Sequence, residues 1–148
     1  MKKVFAVALS LALALSLVAC GGSSKIKDGT YKAEMSDAVT EASYGWRDTL
    51  TVTYKDGKVS DLDFDSFDAD GNRKSEATAE TYPMDPAPST WMPQLEENLK
   101  ATTDPDKVAA VAGATHSSGY AKLLYKAVIE KAEAGDTTTA VVDTEVAE

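Results

Sequence analysis

The residues best suited to chemistry lie in one run, Val111-Ala112-Gly113-Ala114-Thr115-His116-Ser117-Ser118-Gly119. Gly113 and Ala114 are small enough to let the backbone approach a ligand closely. Thr115, Ser117 and Ser118 add hydroxyls, and His116 is the single histidine of the chain. An apolar helical period follows, so the run opens a helix. The first N–H groups of a helix lack intrahelical partners, and its dipole favours an anion there. Together these features describe a phosphate cradle. The same residues also suit an ordinary strand-to-helix turn, with His116 preceding the cap, and taken alone they leave both readings open. A Ser–His–acid triad does not fit, because His116 and Ser117 are adjacent and no nucleophile-elbow pattern is present.

The elements that would position this run read as follows. Asp28-Gly29-Thr30-Tyr31-Lys32-Ala33-Glu34 opens on a turn signal and predicts a first strand. Residues 36–45 are polar and small, and read as a loop. From 49 to 54 the chain alternates, with Leu50, Val52 and Tyr54 on one face, the clearest strand pattern present. Asp56-Gly57 is placed for a hairpin turn. The returning strand, 59–67, turns Leu62 and Phe64 inward and Asp61, Asp63 and Asp65 to solvent. Ser66, Asp68, Asp70 and Gly71 match the start of a calcium loop, but Ala77 stands where the closing Glu belongs, so a solvated turn is the better reading. Residues 75–88 are irregular. Ser89 or Thr90 caps a helix with Pro93 in its first turn and Trp91, Leu95 and Leu99 on one face. Ser117 or Ser118 caps a final helix reaching 133, whose apolar face is Ala121, Leu124, Tyr125, Val128 and Ala132. Strands first and helices later predict an α+β fold, an antiparallel meander with helices packed on one face.

Composition narrows the function. The chain has 148 residues, 24 acidic against 15 basic, and a net charge of -9, which argues against nucleic acid as a partner. One Cys excludes an internal disulfide framework and all-thiolate metal sites. A hydrophobic fraction of 43% is enough for a modest core. The first 19 residues read as a signal peptide, with Lys2 and Lys3 ahead of an uncharged apolar stretch too short to span a bilayer. Leu17-Val18-Ala19-Cys20 resembles the lipobox of bacterial lipoproteins, in which the Cys is acylated and becomes the mature N-terminus. Residues 20–26 are then the lipidated Cys and a flexible tether, and 27–133 the folded domain. Residues 134–148 hold four acids and no Lys or Arg, and read as a mostly disordered tail in which Ala140-Val141-Val142 could form one weak strand.

The stretch 108–118 resembles the C-terminal motif of the FMN-binding domain family, which includes flavin-carrying subunits of the sodium-pumping NADH:quinone oxidoreductase and of ferredoxin:NAD oxidoreductase complexes. Asp28-Gly29-Thr30-Tyr31, Gly45-Trp46-Arg47-Asp48, Asp56-Gly57-Lys58 and Pro93-Gln94-Leu95-Glu96 extend the resemblance across the domain. It implies FMN as cofactor, with Thr115 as the residue esterified by the flavin phosphate through a flavin transferase, and Gly113, Ala114, His116, Ser117 and Ser118 around it. Where the family motif has an Asp six residues before the Thr, this chain has Ala109, and Ala112 replaces a frequent Ser or Thr. Covalent and reversible flavin binding are therefore both carried forward. Tyr44, Trp46, Tyr82 and Trp91 are candidates for the ring walls, Trp91 also being a core candidate.

The expectation is an extracytoplasmic, lipid-anchored FMN protein that carries electrons, with a membrane quinone-linked reductase as partner and no substrate turnover of its own. No dinucleotide-binding fingerprint is present. The rival is a non-redox surface lipoprotein that uses the same fold for adhesion or small-ligand binding.

Overall fold

The computed structural model describes residues 25–146. The residues read as a signal peptide, Cys20 and the residues 21–24 read as tether lie outside them. The elements are β1 (Gly29–Met35), α1 (Asp37–Ala42), β2 (Arg47–Lys55), β3 (Lys58–Phe67), α2 (Pro88–Lys100), α3 (Thr115–Ala134) and β4 (Ala140–Val142). Single 3₁₀ turns lie at Lys74–Glu76 and Pro105–Lys107. The sheet order is β3-β2-β1-β4, antiparallel except for the parallel β1–β4 pair. The fold is α+β, as the sequence predicts.

The hairpin forms where Asp56-Gly57 places it. Both residues have positive φ, 53° and 69°, as the tight turn between β2 and β3 requires. Asp28, just before β1, accepts from the Gly57 and Asp56 N–H groups at 2.9 Å each, which holds its carboxyl below the usual range. The start of the domain is thereby tied to its hairpin.

Period-two alternation decides which face is covered. Tyr31, Ala33 and Met35 of β1, Leu50, Val52 and Tyr54 of β2, and Leu62 and Phe64 of β3 are all buried in one core. Against them pack Trp91, Met92, Leu95 and Leu99 of α2 and Ala121, Leu124, Tyr125, Val128 and Ala132 of α3. Each deeply buried Leu in such a core contributes about 2–5 kcal/mol by the cost of truncating it to Ala.

The structure departs from the sequence reading in five places. Residues 37–42 form α1, capped by the Ser36 hydroxyl, which accepts from Val39 N at 3.3 Å. A helix of six residues that buries only Val39 leaves no periodic trace. Pro88 takes the first turn of α2, and Pro93 lies farther inside. Helix α3 begins at Thr115, two residues before the earlier of the two expected caps. Asp65 is fully buried, unlike Asp61, because the chain after β3 folds back and Arg73 pairs with Phe67. Its carboxylate accepts from Ser66 N (2.8 Å), Ser75 N (3.1 Å), Ser75 Oγ (2.5 Å) and Arg73 Nε (2.7 Å).

The fifth departure is in the tail, where the one strand the sequence allowed, Ala140–Val142, forms and joins the sheet of the domain. After α3, Gly135 adopts φ 71°, and Gly135 N and Asp136 N donate to Ala132 O and Lys131 O, closing the helix with a Schellman turn. Lys131 Nζ then pairs with Asp136 at 2.6 Å. The chain crosses to the open edge of β1, where Ala140, Val141 and Val142 pair with Ala33, Glu34 and Met35. Ser36 N adds a bond to Val142 O at 2.9 Å. Residues 140–142 of the tail are thus part of the sheet: an unpaired β1 edge is a template for any short extended segment that can reach it.

Candidate functional site

A cavity of about 510 Å³ opens where the start of α3 meets the beginning of β2 and the N-terminal part of α2. Gly113, Ala114, Thr115, His116 and Ser117 line one side. Gly113 has φ 81°, a conformation that strains any residue with a Cβ, so the turn into α3 depends on glycine here. Ala114 N donates to Val111 O at 3.1 Å and sets the turn. Ala114 offers no side-chain acceptor to the first N–H groups of α3. Thr115 and His116 are exposed, and among the described residues their side chains make no hydrogen bond.

Ser118 does not join them. It is buried behind the turn, where its hydroxyl donates to Ala114 O at 2.7 Å and accepts from Val111 N at 3.0 Å. Its role is to lock the loop shape. Ala109 is exposed, and its carbonyl accepts from Asn98 Nδ2 at 2.9 Å, which ties the 108–112 loop to α2.

All four aromatic candidates reach this one cavity: Tyr44, Trp46, Tyr82 and Trp91. Trp46 and Tyr82 meet edge to face, with centroids 6.0 Å apart. Tyr44 has φ 58° and is 91% exposed at the rim. Trp91 is both core and wall, and its indole N–H is buried with no hydrogen-bond partner among the described residues.

Lys74 and Asp48 also line the walls, and the sequence reading gave neither a role. Lys74 is 9% exposed, and its Nζ lies 4.9 Å from the Tyr82 ring centroid, 5.5 Å from that of Trp46 and 5.9 Å from that of Trp91. Among the described residues its ammonium has no hydrogen bond and no ion pair. Asp48 is buried on the core face of β2, opposite Ser66, whose hydroxyl donates to its carboxylate. Burial pushes the Asp48 carboxyl up to about 6, against the smaller opposing pulls of Ser66 and Lys74. Extending the alternation of Leu50, Val52 and Tyr54 by one step would have found Asp48. Lys74 lies in an irregular stretch with no pattern to mark it. From the tail, Glu145 and Val146 also reach the cavity, and Val146 packs against α3 at Gly119, where an added Cβ would come within 2.7 Å of it.

The arrangement can bind a flat, anionic molecule. It offers free helix N–H groups and hydroxyls on one side, with aromatic faces and a cation from other elements. Its volume lies within the range of small-molecule sites.

No family model matches the sequence. The chain is 33% identical over 132 residues to the 15 kDa lipoprotein of Treponema pallidum (strain Nichols), covering 86% of this chain and 90% of that protein. It belongs to the family of that lipoprotein. The crystal structure of the CPE2226 protein from Clostridium perfringens shares the fold, with a TM-score of 0.68 and 28% identity over 81% of this chain and 99% of that one. Among the described residues no helix is long and apolar enough to cross a membrane.

Proposed function

We propose that this lipoprotein is anchored through acylated Cys20 on the extracytoplasmic face of the membrane, binds FMN and carries electrons. One observation carries the reading: residues 113–117 at the start of α3 share a single cavity with four aromatic side chains from other parts of the chain. The free N–H groups of α3 and the hydroxyls of Thr115 and Ser117 suit the phosphate, and Trp46 and Tyr82 suit the ring. Thr115 is exposed, so a flavin transferase can reach its hydroxyl. The flavin supplies the redox chemistry when bound, and the protein supplies binding, orientation and the surrounding field. A membrane quinone-linked reductase is the expected electron source. An external electron acceptor reoxidises the reduced flavin, and the lipid anchor keeps the carrier beside the reductase.

The test is a titration of purified protein with FMN, followed by gel electrophoresis under denaturing conditions. Protein made with a flavin transferase should give a fluorescent band that Thr115→Val abolishes. If Ala109 prevents esterification, flavin should bind the folded protein reversibly, and Thr115→Val should weaken it by about 1–3 kcal/mol, the scale of a lost hydrogen bond to a charged group. Ala109→Asp should then restore the band. A folded protein that takes up no FMN in either form refutes the reading and leaves a non-redox surface lipoprotein.

A further inference from the structure

We propose that Lys74 recognises the ring of the bound molecule: its ammonium donates to the carbonyl oxygens along one edge of a flat conjugated heterocycle, and the start of α3 takes the phosphate. The identity of that heterocycle rests on the FMN reading above. The part played by Lys74 rests on its own surroundings.

A lysine removed from water ordinarily lies beside a carboxylate, because an unpaired buried charge is costly. Lys74 is nine-tenths buried, yet no oxygen among the described residues pairs with its Nζ. Three ring faces surround it instead, from Trp46, Tyr82 and Trp91. Ring faces attract a cation, but they leave its three N–H donors without the oxygen acceptors they would have in water. Asp48 is near enough to be felt electrostatically but makes no ion pair with Lys74, and its carboxylate accepts instead from the Ser66 hydroxyl. An ammonium without an acceptor, beside three aromatic faces in one cavity, calls for a ligand that is flat and carries oxygen acceptors in its plane. A phosphate would meet the charge of Lys74 but would leave the aromatic faces uncovered. The N–H groups and hydroxyls at the start of α3 already provide for an anion.

The experiment uses the mature full-length protein made without a flavin transferase, so that the site is free, and titrates it with FMN and with riboflavin, which lacks the phosphate. Lys74→Met keeps the length of the side chain and removes the charge. It should weaken FMN and riboflavin by the same factor, about tenfold or more, as expected for a lost hydrogen bond to a charged group. Lys74→Arg should recover most of the loss. A second readout is the absorbance titration of the ring N–H of bound flavin. Without the ammonium, the ring should lose its proton at higher pH; the other ionisable groups lining the cavity, Asp48, His116 and Glu145, are present in both proteins. Circular dichroism reports folding, and Lys74→Gln serves the same comparison if the Met variant does not fold. Loss of FMN binding with riboflavin unaffected would place Lys74 at the phosphate and overturn the proposal, as would unchanged affinity for both. If the unsubstituted protein binds neither compound, the FMN reading itself fails, and this inference with it.

Discussion

Replacing Asp48 by Asn should change how stability depends on pH, in a direction set by the burial of Asp48. Asp48 is 5% exposed and continues the apolar face of β2. Its carboxyl is pushed from 3.8 to about 6, first by burial. The folded protein therefore holds this proton more tightly than the unfolded chain does. Between those two values the folded state binds more protons, so stability falls as pH rises. The loss is complete above about 6, and at 1.36 kcal/mol per pH unit it comes to about 3 kcal/mol. Asn keeps an oxygen that can accept from the Ser66 hydroxyl, and it cannot ionise. Urea unfolding of both proteins from pH 3.5 to pH 8 supplies the comparison. Asp28 and Asp68 pull the other way, because their carboxyls are held low by hydrogen bonds from the Gly57 N–H and from Asn72. Their stabilisation is present above the unfolded value and is lost as pH falls, but it is common to both proteins and cancels in the difference. The Asn variant should gain about 3 kcal/mol relative to the parent between acid and neutral pH. A difference that stays flat with pH, or that grows toward acid, would refute the assignment of a destabilising buried carboxylate.

The other predictions follow from contacts already described. Asp65→Ala strips the acceptor from Ser66 N, Ser75 N, Ser75 Oγ and Arg73 Nε, and should cost about 3–5 kcal/mol in urea unfolding, the scale of breaking a buried pair. A loss below about 1 kcal/mol would mean that water replaces those bonds. Removing the chain after Gly135 deletes β4 and the Val146 contact with α3, and should cost about 1–3 kcal/mol; an unchanged melting temperature would contradict the strand. Cys20→Ser should move the protein from the detergent phase to the aqueous phase in a phase-partition assay. Retention with membranes, with cleavage still following Ala19, would defeat the lipobox reading.

Local pattern determined most of the architecture in advance. Leu50, Val52 and Tyr54 declare a strand with one buried face because side chains alternate along an extended chain. Asp56-Gly57 declares its turn because both positions need positive φ. Leu124, Tyr125 and Val128 declare a helix with one buried stripe, and Gly113 through Ser117 mark where that helix begins and line one side of the cavity. Sequence alone therefore decided the α+β class, the hairpin, the two long helices and one side of the site. It could not decide the rest, because the remaining partners are distant in the chain. The weak strand legible at Ala140–Val142 gains its place in the sheet only because the edge of β1, more than a hundred residues earlier, is open to it. Asp65 becomes buried only because Arg73 and Ser75 fold back over it. Lys74 becomes a caged cation only when the separate segments carrying Trp46, Tyr82 and Trp91 converge. A residue's charge and size are written in the sequence, but its dielectric surroundings are made by neighbours that only the tertiary fold brings within a few ångströms.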